Sequence, residues 1–228
     1  MQPIAPYSFQ ALVGGEMIDL PLVQSSPDHA IALLMVIDRG LAFVERMGQA
    51  LARDFAALKP DIVVGSATLG IPVAMEVTRA LGLDQYVILQ KSPKFHLQDA
   101  LVEQVVSVTS QGTQQLLLDR EAIVRLQGRR VVLVDDVVAT GSSMAAAMRL
   151  VRRAGAEILA AGTILTEGQS WREALGRDAA LIRRLGHIPE FHLRDGMAEI
   201  DPASLDPASL DPARLDPVTA APARKRRS

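Results

Sequence analysis

The chain of 228 residues is 49% hydrophobic and carries a formal net charge of −2. These values suffice for one substantial buried core and predict no broad attraction to nucleic acids or membranes. Because the sequence contains no cysteine, disulfides, thiolate catalysis and cysteine metal sites are excluded.

The N-terminal part predicts a β-hairpin followed by a helix. Apolar and polar residues alternate on either side of Gly14 and Gly15, which is typical of a hairpin. Apolar positions recur at three- and four-residue steps from 41 to 58, which is typical of an amphipathic helix. Residues 1–6 lack a basic region followed by an apolar core, and the apolar run 30–37 is too short to span a bilayer. We therefore expect a cytoplasmic protein without a membrane segment.

From residue 60 onward, predicted strands and helices alternate. This alternation implies right-handed crossovers and an α/β fold with a mainly parallel, twisted sheet flanked by helices. Two further alternating segments, 103–109 and 114–118, predict a β-hairpin next to a mobile loop. The strands are expected at 61–65, 86–90, 131–134 and 156–166, and the helices at 71–81, 119–127 and 142–154.

The strand at 131–134 leads into the most informative motif of the chain. Asp135 and Asp136 follow it, and a small, hydroxyl-rich turn then opens the next helix. Backbone N–H groups and hydroxyls at a helix N-terminus hold phosphate, whereas two carboxylates would repel a bare anion. We therefore expect a ligand that offers hydroxyls to the acids and a phosphate to the turn, as a ribose 5-phosphate does. The turn comprises Ala139, Thr140, Gly141, Ser142 and Ser143.

This motif resembles the phosphoribosyl pyrophosphate (PRPP) signature of type I phosphoribosyltransferases, and the adenine and xanthine members are the nearest in kind. The resemblance covers about residues 60–170 and, more loosely, the N-terminal part. It implies the type I phosphoribosyltransferase fold, with a small N-terminal hood and a mobile loop at 98–118. It also implies a reaction in which a nitrogen base, expected to be a purine, attacks C1 of PRPP and releases pyrophosphate, or the reverse. Mg²⁺ is the expected cofactor, with no direct protein ligand assigned.

The resemblance also assigns roles to the motif and to the loop after strand 61–65. Asp135 and Asp136 match acids that face the ribose hydroxyls, and residues 139–143 match the 5′-phosphate loop. The loop after the earlier strand matches one that contacts pyrophosphate and often contains a non-proline cis peptide. It departs from adenine-type members, which usually carry a charged residue there. This loop comprises Ser66, Ala67, Thr68, Leu69 and Gly70.

Four more residues receive roles from the resemblance. Lys91 and Lys94 follow strand 86–90, where basic residues of the family reach pyrophosphate. Glu167 and Trp171 follow strand 156–166, where family members place groups that recognise the base. Trp171 fits equally well as an aromatic residue that covers the core. The accepted base stays open.

We expect three segments: an N-terminal hood and first helix at 1–58, a phosphoribosyltransferase core at 59–200 and a tail at 201–228. The tail repeats Asp-Pro-Ala-Ser-Leu at 201–205 and at 206–210. A proline in every fifth position and sparse leucines predict disorder. The expected partners are PRPP and a nucleobase, in a homodimer, without specific nucleic-acid or membrane binding.

One alternative from another functional class stays open. Regulators of the purine-repressor type carry the same domain as a PRPP sensor without catalysis. Such a protein needs a DNA-binding module, and residues 1–60 predict only a hairpin and one long helix. The sequence therefore favours the enzyme.

Overall fold

The computed structural model describes residues 7–92, 100–105 and 114–206. Short 3-10 turns at Ile37–Arg39, Gly176–Leu181 and Pro202–Ser204 accompany the main elements. Within the described residues, no helix is long and apolar enough to cross a membrane. In chain order the elements are β1 (Ser8–Val13), β2 (Glu16–Ser26), β3 (His29–Ala32), α1 (Leu41–Ala56), β4 (Ile62–Ser66), α2 (Gly70–Ala80), β5 (Tyr86–Leu89), β6 (Leu101–Val105), β7 (Gln114–Leu118), α3 (Arg120–Leu126), β8 (Arg130–Val138), α4 (Ser142–Arg153), β9 (Glu157–Glu167), α5 (Ser170–Leu175), β10 (Ile182–Ile188), β11 (Phe191–Arg194) and β12 (Met197–Ile200).

Five parallel strands form the central sheet in the order β10-β9-β8-β4-β5. Its middle strand, β8, is buried on both faces, and this explains why its aliphatic run shows no polar alternation. Val132 and Val134 pack with α1 and α2 on one face, while Val131 and Leu133 pack with α3 and α4 on the other. The predicted α/β fold with a mainly parallel sheet is confirmed.

A second, antiparallel sheet, the hood sheet, has the order β1-β2-β3-β11-β12. The predicted hairpin is confirmed, and Gly14 and Gly15 make its turn with positive φ angles of 60° and 93°. The expected boundaries need correction, because β11 and β12 belong to this sheet although they lie outside 1–58. The Gly14 N–H donates to the Leu185 carbonyl of β10 at 3.0 Å, and one hydrophobic cluster spans both sheets.

Strands β6 and β7 pair as the predicted antiparallel hairpin. Gln90 and Leu117 exchange two backbone hydrogen bonds of 2.9 and 2.8 Å, and these attach the hairpin beyond the end of β5. Glu103 of β6 forms ion pairs with Arg149 and Arg153 of α4, at 2.7 and 2.9 Å. The base of the predicted mobile loop is therefore anchored to the core, and residues 106–113 lie outside the described residues.

Residues 201–206, which we call the C-terminal strap, correct the prediction of disorder for the start of the tail. The Asp201 side chain accepts a hydrogen bond from the Ala203 N–H at 3.0 Å, with Pro202 in the first turn. Ser204 and Asp206 are buried. An aspartate that caps a turn and is followed by proline favours turn formation, and the polar groups of the strap form hydrogen bonds and an ion pair with the folded domain. Residues 207–228 lie outside the described residues, so their disorder stays a prediction.

Candidate active site

The carboxyl ends of β4, β5 and β8 bring the predicted loops to one edge of the central sheet. Gly65 pairs with Val134 of β8, and Ser66 pairs with Leu89 of β5. The peptide bond between Ala67 and Thr68 is cis, as the family resemblance implied. The loop that follows β4 therefore starts beside the strand that carries the two acids.

Gly70 lies directly against the first acid. A Cβ atom at this position would stand 2.7 Å from Asp135 Oδ1, which is too close for a side chain. Gly70 also begins α2, and a glycine is needed here so that this helix can approach the carboxylate. The sequence placed Gly70 in the pyrophosphate loop, but its contact with Asp135 has no signal in the sequence.

Both acids lie within β8, which continues four residues beyond the predicted strand end. The Asp136 N–H donates to Asp135 Oδ1 at 3.1 Å, and Thr163 Oγ1 donates to the Asp136 carbonyl at 2.9 Å. Burial raises the pKa of the Asp135 carboxyl well above its usual range, and the charge of Asp136 raises it further. Burial also raises the pKa of Asp136, although a hydrogen bond from Asp135 opposes that effect. The pair therefore favours ligands that compensate negative charge.

Of the two predicted lysines, the structure places one at this edge. Lys91 is exposed and stands two residues after the end of β5. Its positive charge partly opposes the rise in the pKa of Asp135 and Asp136. An exposed ammonium group that acts on two partly buried acids adds positive charge at this edge of the sheet. Lys94 lies outside the described residues.

The predicted phosphate loop forms one wall of a concavity. Its volume is about 140 Å³, and it is lined by Asp135 and residues 137–141, 143 and 144. Gly141 takes a left-handed conformation with φ 78° immediately before the 12-residue helix α4. The Thr140 hydroxyl accepts a hydrogen bond from the Ser142 N–H at 3.4 Å. The N-terminus of α4, where the helix dipole favours negative charge, therefore lines the same concavity as Asp135.

Trp171 supports the phosphate loop from behind. A Cβ atom on Gly141 would stand 2.9 Å from the Trp171 Cα and carbonyl oxygen, so the two segments touch through their backbones. The indole is 2% exposed, and its Nε1–H donates to the Gly168 carbonyl at 3.1 Å. The Arg172 guanidinium lies 4.4 Å from the ring centroid. Of the two roles left open for Trp171, the structure places it in the core rather than exposing a ring face to a base.

Glu167 ends β9, next to the phosphate loop, and it is partly buried. Burial raises its pKa to about 7, and repulsion from Glu190 contributes. The Glu190 side chain occupies the space over Gly168 that a side chain at that position would need. Glu190 immediately precedes β11, so this pair of carboxyls lies between the central sheet and the hood sheet. Glu190 has no signal of a functional role in the sequence, because only the fold brings it close to Glu167.

Two acids, Asp135 and Asp136, are the candidate metal ligands among the described residues at this edge. Across the residues that the structure describes, no cluster of three or more His, Asp or Glu side chains could enclose a metal ion. Asp135 and Asp136 are oxygen donors of the kind that Mg²⁺ accepts. A magnesium ion that also used ligand oxygens and water would fit this donor set.

Comparison with known proteins agrees with this geometry. A family model described as the phosphoribosyl transferase domain matches residues 37–193. An adenine phosphoribosyltransferase of Rhodospirillum centenum is 35% identical over 127 residues, which cover 54% of this chain and 67% of that protein. A xanthine phosphoribosyltransferase of Exiguobacterium sp. is 33% identical over 142 residues, which cover 61% of this chain and 69% of the relative.

Solved structures show the same fold. The adenine phosphoribosyltransferase of Saccharomyces cerevisiae has a TM-score of 0.60 at 22% identity, over 73% of this chain and 93% of the other. The corresponding enzyme of Giardia lamblia has a TM-score of 0.62 at 20% identity, over 74% and 93% of the two chains. The resemblance stated from the motif at 131–143 is thereby confirmed. The chain belongs to the phosphoribosyl transferase domain family and is a phosphoribosyltransferase.

Proposed function

We propose that the protein transfers the 5-phosphoribosyl group of PRPP to a purine base and releases pyrophosphate, or runs this reaction in reverse. The observation that carries the proposal is the shared concavity of about 140 Å³, which presents the Asp135 carboxylate and the Gly141 loop to one ligand. A ribose 5-phosphate offers hydroxyls and a phosphate at complementary ends. Relatives named as adenine and as xanthine phosphoribosyltransferases support a purine as the acceptor and leave the choice between these bases open.

Different groups of site residues would bind different parts of PRPP. Residues 139–143 would hold the 5′-phosphate through backbone N–H groups and hydroxyls, and Asp135 and Asp136 would accept hydrogen bonds from the ribose hydroxyls. Residues 66–70 would contact pyrophosphate. Lys91 and Lys94 would add positive charge there. Because the leaving group departs well once its charge is compensated, positioning and electrostatics supply most of the catalysis.

Magnesium fits the acidic pair as the cofactor. Burial raises the pKa of both Asp135 and Asp136, and the charge of Asp136 raises that of Asp135 further, so a divalent cation near them would relieve an existing electrostatic cost. These two carboxylates would hold the ion together with oxygens of the substrate. When bound, Mg²⁺ supplies charge neutralisation of the pyrophosphate oxygens.

The base would bind between the central sheet and the hood sheet. Glu167 ends β9 at this junction, and a carboxyl with a pKa of about 7 can donate or accept a hydrogen bond near neutral pH. We therefore retain Glu167 as a base-binding residue, whereas the covered indole of Trp171 suits support of the phosphate loop. The loop at 98–118 would close over the site and exclude water from the reacting carbon.

The assembly and location follow the resemblance. A homodimer and a cytoplasmic location stay proposals. The relatives described above are named as enzymes, and nothing among them supports the PRPP-sensing regulator. An enzymatic function is therefore proposed rather than a regulatory one.

A panel assay tests the function. Purified protein would be incubated with PRPP, Mg²⁺ and adenine, xanthine, hypoxanthine or guanine in turn, with pyrophosphate release and nucleotide formation followed together. We expect one or two purines to give both products in equal amounts. The double variant Asp135→Asn/Asp136→Asn, checked for folding by circular dichroism, is expected to lose at least about 100-fold in turnover. Absence of nucleotide with every purine would refute the proposal.

A further inference from the structure

The C-terminal strap binds to a site built from polar groups on both sides of it. Asp206, whose side chain is 4% exposed, forms an ion pair with Arg184 of β10. Ser204 Oγ accepts a hydrogen bond from the Glu190 N–H at 2.9 Å, and the Leu205 carbonyl accepts one from Gln169 Nε2 at 3.0 Å. We call the groups that contact the strap, on Gln169, Arg184, His187 and Glu190, the strap site.

The strap residues that contact the strap site belong to the repeated sequence of the tail. His187 Nε2 lies 3.0 Å from the Ser204 carbonyl, and the Asp201 N–H donates to the Glu190 carbonyl at 2.9 Å. The bound sequence at 201–206 is Asp-Pro-Ala-Ser-Leu-Asp, and the sequence at 206–211 is the same six residues. The second copy therefore carries each cap, hydroxyl and carboxylate that the strap site uses.

We propose that the strap site recognises Asp-Pro-Ala-Ser-Leu-Asp and that residues 206–211 are a second, interchangeable ligand for it. In the exchanged register, Asp206 takes the capping place of Asp201, and Asp211 takes the place beside Arg184. Residues 201–205 then become a connection after β12. The first copy is favoured in the unmodified chain because it follows β12 directly and needs no such loop.

The third copy shows what the site would reject. Residues 211–216 read Asp-Pro-Ala-Arg-Leu-Asp, with Arg214 in the serine position. Ser204 is buried and both donates and accepts hydrogen bonds there, so a long charged side chain does not fit its place. The chain thus contains two matching copies and one natural mismatch.

Exchange of the strap would keep the neighbouring active-site segment in place. Asp206 lies 3.9 Å from Arg172, which stacks on Trp171, and the Trp171 backbone touches Gly141. Gln169 of the same segment holds the Leu205 carbonyl. A second copy would therefore preserve the support of the phosphate loop when the first copy is displaced.

Matched serine substitutions in the full-length chain test the exchange. Ser204→Arg and Ser209→Arg place the same side chain one repeat apart, and amide hydrogen exchange of the Glu190 N–H reports occupation of the strap site. We expect Ser209→Arg to match the unmodified chain and Ser204→Arg to keep protection within about tenfold of it. The double variant is expected to lose protection by at least 100-fold, which corresponds to about 2.7 kcal/mol.

A rescue variant separates loss of the strap from general misfolding. Adding Arg214→Ser to the double variant converts the third copy into Asp-Pro-Ala-Ser-Leu-Asp, and we expect protection of Glu190 to return. The proposal is overturned if Ser204→Arg alone loses as much protection as the double variant. It is also overturned if the double variant keeps its protection, or if Arg214→Ser restores none of it.

Discussion

Replacement of Glu167 by glutamine is expected to stabilise the protein near neutral pH. Burial and Glu190 raise the pKa of Glu167 to about 7 from 4.5, so the folded state binds a proton that the unfolded state has already released across this range. Unmodified protein therefore loses stability as the pH rises from about 4.5 to about 7. At about 1.4 kcal/mol per pH unit, the loss amounts to roughly 3 kcal/mol, and the variant avoids it.

Urea unfolding between pH 4 and 8.5 measures this effect as the difference between variant and unmodified protein. We expect the difference to grow through the window from about 4.5 to about 7 and to stay constant above it. Glu190→Gln removes the repulsive neighbour and should move the window to lower pH. Glu45→Gln, on the exposed face of α1, is the matched control for a change of charge without burial. A difference independent of pH for Glu167→Gln would refute the reasoning.

Three further outcomes are expected. Asp136→Asn should lower kcat/KM for PRPP by roughly 10–100-fold, since a charge-assisted hydrogen bond contributes about 1.5–3 kcal/mol. An unchanged kcat/KM in steady-state kinetics would contradict a hydrogen bond between Asp136 and a ribose hydroxyl. Gly141→Ala should weaken PRPP binding more than Thr140→Ala in calorimetric titration. The Cβ of an alanine at 141 would stand 2.9 Å from backbone atoms of Trp171 at a φ of 78°, whereas Thr140→Ala leaves the N–H donors in place. Equal affinities of the two variants would contradict phosphate binding by the backbone of this loop. Truncation after Ile200 should cost several kcal/mol in thermal unfolding, because it removes Asp206 and its ion pair with Arg184 while keeping β12. Truncation after Asp206 should leave the melting temperature unchanged. Equal melting curves for the two truncations would show that the strap contributes nothing.

The central sheet was predictable because its signal is local. The aliphatic run before Asp135 and the turn around Gly141 each follow from residue order alone, and the structure brings them to one concavity. A strand buried on both faces needs a continuous apolar run, and a phosphate turn needs small residues before a helix. The motif at 131–143 satisfies both requirements within thirteen residues.

The elements that were missed depend on contacts between distant residues. Strand β10 carries Arg183, Arg184 and His187 among its apolar residues, and it is an edge strand of the central sheet, so its pattern is weak. A signal for the last hairpin was present, because Asp195 and Gly196 stand between two short alternating segments and take φ angles of 50° and 77°. The contact of Glu190 with Gly168 has no such signal, since it depends on the path of the chain between the two sheets.

The strap departs from the sequence prediction for a different reason. Proline in every fifth residue predicts disorder for the whole tail, whereas Asp201 and Pro202 carry a local capping signal that the structure uses. The repeat is sparse in apolar residues, but the strap is held by hydrogen bonds and by the Arg184–Asp206 ion pair. Composition predicts whether a segment can form a core by itself, and it does not predict docking on a core that already exists.

The strand order of the hood sheet has a consequence for synthesis on the ribosome. β3 pairs with β2 on one side and with β11 on the other, where Ala30 faces Phe191. A nascent chain can form β1, β2 and β3 early, but the open edge of β3 stays unpaired until β11 has been synthesised near the end of the domain. Unpaired strand edges recruit strands from other chains. Chaperone protection of the N-terminal strands during translation, and aggregation of chains interrupted before residue 191, are therefore expected.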